Sequence, residues 1–562
     1  MTGVLRVLLA QVIIVMLIGG FVAICAHVFV AGIQYFEVFR TQRHHFFELF
    51  GMRVNLVTAG LLLAAYLVVI MVRKIGHMPK WESPADIIYS AQNRNYESAP
   101  KKGFLTIFAS FVSLAGGASL GQYGPLVHLG GVIGILVAKC YREVWLGRDV
   151  LIGCGVAAAI AAGFNAPIAA IIFAHEAVLR HFSARALTLI SIASICSSAL
   201  NRLLFEPSDI FIVTTEISVS AEIVGISLIA GIVFGISAIF IIRALFFVQG
   251  FSNRSPHVFR WISLAALIYL LLLSQTLPQV LGLGMGLINE LFSSAETTQM
   301  LLILLFAKVS AVILSLTIGF SGGFVGPALV VGALLGALLA QLATMFGLSF
   351  LTTMLVVSGS AAVAGTVFGA PLAMVILVLE LTHSYDLSVA AMLSIVVSTL
   401  IFHLFYGHSL FDLQLLARDI DLAKGRIFLE LESTKLYTLT SEDFLCFQPN
   451  TSADIILSKM QNVQQTEGYC LDENGQFLGK ISIFDAVSEP YKTAAGLAKQ
   501  DCLKLYCNQS INEAMEVAID FVGEGLPVLD PQSHKMVGVV TEAHLFNAYS
   551  AVTQKVREIE TA

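Results

Sequence analysis

Two short glycine-proline motifs have the composition of an anion-binding site. Gly121-Gln-Tyr-Gly124-Pro125 and Gly323-Phe-Val-Gly326-Pro327 each place a proline where a helix would begin, because proline is favoured in the first helical turn. A helix that begins there leaves N–H groups without intrahelical acceptors and carries about half a positive charge at its N-terminus. Such ends bind an anion without lysine or arginine. The alternative is that these residues only permit close helix packing.

A second motif accompanies each of the first two. Phe-x-Ala-Pro begins at Phe164 and again at Phe368, and a glutamate follows at Glu176 and Glu380 with the same offset. The two motif prolines are 42 residues apart in the first half of the chain and 44 in the second. The helix starts at Pro167 and Pro371 are therefore expected to join the anion site, at the interface of two duplicated halves. Two roles stay open for the glutamates, which are a functional intramembrane carboxylate and a cap for backbone N–H groups.

The elements that carry these motifs are those of a membrane protein. Val309 to Leu379 contains no Asp, Glu, Lys or Arg, and 12% of the whole chain is charged, against about 25% in soluble proteins. Broken apolar segments at membrane depth survive only where protein buries them or water reaches them. The sequence predicts a polytopic α-helical bundle with broken helices and a retained first span at Val7–Val30.

Charged residues return at Arg418, where a soluble tail is expected to begin. We place the membrane domain at 1–418, its halves at about 54–215 and 220–418, and a linker at 419–435. The tail repeats a strand-turn-strand pattern around Leu471 and Leu529, which predicts two α/β units at about 436–490 and 500–556.

Other chemistry is not indicated. The eight cysteines are scattered without a CxxC pair, and neither a nucleophile-base set nor a metal-ligand cluster stands out. The sequence therefore predicts a protein that is not an enzyme, holds no metal or obligatory cofactor, and binds no nucleic acid.

Residues 116–131 resemble the GxxxxGREGPxxxxG region of CLC chloride channels and transporters, and residues 321–329 resemble their GxFxP segment. Ser409-Leu-Phe-Asp resembles the start of their last membrane helix, and the tail resembles a CBS domain pair. The resemblance implies an inverted-repeat bundle, chloride as the transported ion, a homodimer with one pathway per subunit, and a multi-pass location in the cell (inner) membrane. It assigns the pathway to Gly121, Gln122, Tyr123, Gly124, Gly323, Phe324, Val325, Phe411 and Ser83.

The departures from the family bear on the mechanism. Tyr123 stands where the family has its gating glutamate, and Ala177 where its exchangers have the internal proton-relay glutamate. A tyrosine, with an ordinary pKa of about 10, keeps its proton at neutral pH. We therefore expect anion movement that is not coupled to protons, with no titratable acid along the pathway. His128 and His175 are the alternative proton carriers, and packed core histidines are the simpler interpretation.

Two hydroxyls that touch the anion in the family are also missing. Phe411 replaces a tyrosine, and Ser83 aligns only weakly with the GSGIP segment, for which His77-Met78-Pro79 is a rival alignment. Each uncompensated hydrogen bond would cost about 1–3 kcal/mol. The remaining donors would be the N–H groups of Tyr123, Phe324 and Val325.

Further alternatives concern two residues and the protein as a whole. Lys308 is interpreted as snorkelling from a helix end rather than as an anion ligand. Asp485 occupies the position of the family's ribose-binding aspartate, with His544 at the matching place in the second repeat, so an adenine nucleotide and a plain dimerisation platform both stay open for the tail. For the whole protein, proton-chloride exchange with another carrier and a non-conducting sensor sealed by Tyr123 are the alternatives to passive transport.

Overall fold

The computed structural model describes residues 2–42, 46–49, 52–93, 96, 99–141, 146–205, 211, 220–252, 256–293, 296–348 and 351–561. The chain forms two compact units. The membrane unit comprises residues up to Gln92 and 97–420, and the tail unit comprises 93–96 and 421–561. The proposed boundary near residue 215 lies outside the described residues.

The membrane unit is almost entirely helical, and nine of its described helical stretches are long and apolar enough to cross a bilayer. Its only strands within the described ranges form one short antiparallel hairpin, β1 (Phe46–Leu49) with β2 (Met52–Asn55). Its helices are α1 (Thr2–Gln42), α2 (Leu56–Ile75), α3 (Pro84–Gln92), α4 (Pro100–Ala115), α5 (Tyr123–Cys140), α6 (Arg148–Phe164), α7 (Pro167–Phe173), α8 (Ala184–Leu204), α9 (Ala221–Ser252), α10 (Pro256–Thr276), α11 (Met285–Ser293), α12 (Thr298–Thr317), α13 (Val325–Thr344), α14 (Thr352–Phe368), α15 (Pro371–Thr382), α16 (Tyr385–Phe405) and α17 (Leu410–Leu416).

The duplicated motifs fold into the same local structure twice. Helices α5, α6 and α7 correspond in order to α13, α14 and α15, and the predicted starts at Pro167 and Pro371 are confirmed. Glycine lets α5 pack closely on α6, and α13 on α14. A Cβ at Gly130 would lie 2.1 Å from the carbonyl oxygen of Gly155, and a Cβ at Gly332 would lie 2.1 Å from that of Gly359. The backbones of α5 and α6, and of α13 and α14, are therefore in direct contact.

Each half also breaks its helices at matching points. The residue after α6, Asn165, has φ 55°, and the residue after α14, Gly369, has φ 66°. This left-handed conformation ends a helix and is tolerated best by glycine and asparagine. One residue separates each of these from the proline that begins the next helix. In the first half α7 continues as one π-helical turn, Ala174–Leu179.

The tail unit contains two small α/β sub-structures of equal topology. In each sheet the first strand is parallel and the third antiparallel to the central one. Separate hydrophobic cores lie around Ile481 and Val528. This fold is consistent with the predicted CBS pair. Its elements are α18 (Gly425–Ser433), β3 (Cys446–Phe447), α19 (Ala453–Val463), β4 (Glu467–Leu471), β5 (Phe477–Ser482), α20 (Ile483–Ser488), α21 (Ala494–Leu497), β6 (Leu505–Tyr506), α22 (Ile511–Ala518), β7 (Leu526–Leu529), β8 (Met536–Val540) and α23 (Glu542–Thr561).

Candidate anion pathway

The two glycine-proline motifs meet at the centre of the membrane unit. The Gly121 N–H donates to the Gly323 carbonyl at 2.7 Å, and the Gly323 N–H donates back to Gly121 at 2.8 Å. A Cβ at Gly124 would lie 2.7 Å from the Gly323 Cα. Only glycine permits this approach, because any side chain would collide with backbone. The starts of α5 and α13, one from each half of the chain, are thus joined by a two-residue antiparallel bridge, which we call the glycine bridge.

The starts of α7 and α15 are occupied by carboxylates. Glu380 accepts the N–H groups of Ile168 and Ala169 at 2.9 and 2.7 Å. At the start of α15, the N–H groups of Leu372 and Ala373 donate in the same way to Glu176, at 3.0 and 2.9 Å. Each half of the chain therefore caps a helix of the other half, and the capping role is the one the structure shows. The expectation that α7 and α15 would also face the anion is wrong, because their donors are already used.

Two other short helices, α3 and α17, are capped by an acidic residue of their own. At α3, Asp86 lies in the first turn and accepts the Ser83 N–H at 2.7 Å. At α17, Ser409 and Asp412 form a reciprocal capping box. Within the described residues, α5 and α13 have neither an acidic residue in the first turn nor a side-chain cap. The two helix starts at the glycine bridge thus keep donors for an external anion.

Tyr123 forms a barrier beside the glycine bridge. Its side chain is buried, and its ring stacks on the Phe164 ring with centroids 3.5 Å apart and planes 9° apart. The two rings border a small apolar space of about 20 Å³, the apolar gap, which Val325 also lines. An anion that passes α5 and α13 would have to displace this aromatic pair.

A polar cavity of about 290 Å³ lies against one face of Tyr123. We call it the Asn165 cavity. Gln122 and Asn165 line it together with His27, Gln34, Glu37, Asn201 and Asn289. The buried Gln122 Oε1 has no hydrogen-bond partner among the described residues. Gln122 thus contributes a polar side chain, and no charge, where the family motif has arginine.

A larger cavity of about 330 Å³ is lined by the next residues of the motif, Gly124 and Pro125. We call it the Glu82 cavity. Its other polar lining residues include Arg73, Lys80, Glu82, Ser83, His128, Ser321, Gln414 and Arg418. The main chain between Tyr123 and Gly124 therefore separates two cavities. Because Glu37 lines one of them and Glu82 the other, the expectation of a pathway without an acidic side chain is wrong.

Ser83 lies on the wall of the Glu82 cavity. Helix α3 begins at Pro84, directly after Ser83 and not at Pro79, and the alignment of Ser83-Pro84 with the family's segment stays a prediction. The Ser83 hydroxyl donates to Gln414 Oε1 at 3.0 Å. Trp81, two residues earlier, donates from Nε1 to the Gly319 carbonyl at 2.8 Å. Trp81 also lines the Glu82 cavity.

The remaining predicted residues are placed as follows. Phe411 is buried against Phe368, with ring centroids 5.3 Å apart, and lines none of these three spaces. Phe324 and Val325 are buried at the start of α13. Ala177 is buried inside the π-helical turn. A methyl group at this position offers no proton acceptor.

Lys308 and Arg40 are two buried basic side chains of the membrane unit. Lys308 is fully buried, and its Nζ donates to the carbonyls of Val280 and Gly282 at 2.8 and 3.2 Å. The snorkelling interpretation is therefore wrong. Arg40 packs against Gly117, where a Cβ would lie 1.7 Å from Nη1.

In the tail, Asp485 is paired with Lys499, with Nζ and Oδ1 2.8 Å apart. In the second repeat the Thr541 N–H lies 3.4 Å from His544 Nδ1. Nucleotide binding at Asp485 stays a prediction, and a ligand there would have to compete with Lys499.

Comparison with known proteins agrees with this architecture. The chain is 26% identical over 335 residues to the H(+)/Cl(-) exchange transporter ClcA of Vibrio campbellii, covering 56% of this chain and 69% of that protein. Three solved structures share the fold. A slow cyanobacterial Cl-/H+ antiporter has a TM-score of 0.65 and 18% identity, covering 73% of this chain and 97% of that one. A CLC-type fluoride/proton antiporter has a TM-score of 0.60 and 21% identity, covering 72% of this chain and 98% of that one. A eukaryotic CLC transporter has a TM-score of 0.62 and 16% identity, covering 96% of this chain and 98% of that one.

The family assignment rests on the membrane unit. The family model described as voltage gated chloride channel matches residues 64–403, which include the glycine bridge, both carboxylate caps and both polar cavities' principal walls. The chain belongs to this family, the CLC anion transporters, and is an integral multi-pass membrane protein.

Proposed function

We propose that this protein moves chloride or a similar small anion passively, without coupling to protons, through a pathway that passes Tyr123. The observation that carries the proposal is the pair of uncapped helix starts at the glycine bridge. Among the six helices α3, α5, α7, α13, α15 and α17, α5 and α13 alone lack a carboxylate at their first turn. Dipolar donors hold an anion weakly enough to release it, which suits transport.

The absence of proton coupling follows from two side chains. The Tyr123 hydroxyl keeps its proton at neutral pH, so it cannot load and unload a proton as a gating carboxylate does. Ala177 offers no relay group. The Tyr123–Phe164 stack would instead open by rotation of the rings, which adjoin the apolar gap. Such rotation would connect the Asn165 cavity to the Glu82 cavity.

One specific observation favours the alternative of proton-anion exchange. Glu82 and His128 are titratable groups that line the same cavity as Gly124, and the relative ClcA is named an exchange transporter. The stacked, buried Tyr123 suits the third alternative, a sealed sensor. A homodimer, a cell-membrane location, the lack of enzymatic activity and regulation by an adenine nucleotide are proposed with the family assignment.

The test uses purified full-length protein in liposomes, with chloride efflux and internal pH recorded together. Passive transport predicts chloride flux that an ionophore for the counter-ion sustains, with no proton movement. Uphill proton movement driven by a chloride gradient would contradict the proposal and support exchange. Tyr123→Ala should increase the flux, and Tyr385→Ala, at an exposed tyrosine, is the matched control. Flux that appears only in Tyr123→Ala would support the sealed sensor.

A further inference from the structure

Glu82 and His128 form a pair inside the Glu82 cavity that the proposed anion site does not use. Glu82 Oε2 lies 3.4 Å from His128 Nε2, and the two side chains are 12% and 2% exposed. Among the described residues, neither ring nitrogen of His128 has a partner with hydrogen-bond geometry. A buried imidazole without hydrogen bonds is costly, so its place beside a carboxylate in a polar cavity points to a ligand that both groups share. A proton is such a ligand.

The neighbouring helix leaves room for the pair. Gly103, on α4, has no side chain, and a Cβ there would lie 3.3 Å from His128 Nε2 and 3.5 Å from Glu82 Oε2. It would also lie 2.6 Å from a methyl group of Val132. A larger residue at Gly103 would therefore push the two groups apart. The Glu82 backbone is fixed from the same helix, because its N–H donates to the Thr106 hydroxyl at 3.3 Å.

The other charged groups around the cavity are partly engaged elsewhere. Arg73, from α2, donates to the carbonyls of Met78 and Pro79 at 3.2 and 2.5 Å. Arg418, which follows α17, binds Asp86 of α3 at 2.5 Å. Lys80 is exposed and lines the cavity beside Glu82. The cavity is thus lined by three basic side chains, of which Arg418 is paired with Asp86, and by the Glu82–His128 pair.

We infer that Glu82 and His128 form a proton-binding site that controls how readily the anion enters from the Glu82 cavity. The inference rests on the proposed passive transport. With Glu82 ionised and His128 neutral the pair carries one negative charge, and a bound proton removes it. Histidine is the side chain that changes charge between pH 5 and 8. The proton is not carried across, so the site sets the rate without coupling.

The size of the effect follows from the helix geometry. His128 lies five residues beyond Tyr123 on α5, which is about 7.5 Å along the helix axis. One unit charge at that distance, in partly hydrated protein, changes the occupancy of an anion site by about tenfold. Chloride flux at equal pH on both sides should therefore rise by about tenfold between pH 8.5 and pH 5.5.

The test compares two variants with one control in the same liposomes. Glu82→Gln should give high flux at both pH values, because the negative charge is gone. His128→Gln should give low flux at both, because the imidazole that shares the proton with Glu82 is gone. Glu222→Gln, at an exposed glutamate in the first turn of α9, should keep the normal pH dependence. Chloride binding measured by calorimetry at the same two pH values should show the same pattern and does not require transport.

Several results would overturn the inference. One is an unchanged pH profile of flux and of chloride binding in Glu82→Gln. Another is uphill proton movement in the wild type that Glu82→Gln abolishes, since the pair would then carry protons. That second result would also reject passive transport, whereas the first would leave it intact. If the wild type shows no flux at any pH, the proposed function fails and the calorimetric comparison alone decides the proton site.

Discussion

The reciprocal caps make a quantitative prediction about the two intramembrane glutamates. Each carboxylate accepts two backbone N–H groups at the start of a helix from the other half of the chain. Hydrogen bonds to a charged group contribute about 1.5–3 kcal/mol each, and neutral ones about 0.5–1.5 kcal/mol. Glutamine retains one good acceptor and no charge. Glu176→Gln and Glu380→Gln should therefore each lower the free energy of unfolding by about 2–4 kcal/mol.

The two variants should behave alike, because their partners correspond under the internal repeat. The free energy of unfolding is measured in detergent with a chemical denaturant, and Glu222→Gln serves as the exposed control. Chloride flux per folded molecule should change little, since neither carboxylate lines the cavities beside Tyr123. Unchanged stability together with a loss of flux or of its pH dependence would refute the capping role and restore the functional one.

Two further predictions concern single side chains. Lys308→Met should lower the free energy of unfolding by about 2–5 kcal/mol, because two buried carbonyls lose their donor. The free energy is measured by denaturant unfolding in detergent, and an unchanged value would contradict this prediction. In the tail, hydrogen bonds from the Ser533 hydroxyl and the Gln532 N–H lower the pKa of Asp530. This stabilisation is present above the ordinary pKa of an aspartate and is lost as the pH falls through the lowered pKa of Asp530. Asp530→Asn should therefore lower the stability of the tail at pH 7 and leave it unchanged near pH 2. An equal loss of stability at both pH values would contradict this prediction.

Local signals in the sequence predict the helix starts well. Proline after small residues marks the starts of α7 and α15, and glycine at Gly121, Gly124 and Gly323 marks a close approach of backbone. These features need only the residues themselves, because the conformational rules for glycine and proline are local. The repeat of the motifs then predicts that two halves meet.

Contacts across the fold could not be predicted in the same way. Glu380 binds the N–H of Ala169, 211 residues away, so the sequence alone left its role open. The Glu82–His128 pair joins a loop before α3 to the second turn of α5, and no sequence motif predicts this contact. Lys308 resembled a snorkelling lysine because the carbonyls that it binds come from the loop before α11.

The central claim is that the joined starts of α5 and α13 hold the transported anion. The most direct measurement is a structure of the protein with bromide in place of chloride, in which anomalous scattering locates the ion. We predict a bromide peak within hydrogen-bond distance of N–H groups at Tyr123 or Gly124 and at Phe324 or Val325. Bromide found only beside Arg73 and Arg418, with no peak at the glycine bridge, would contradict the claim.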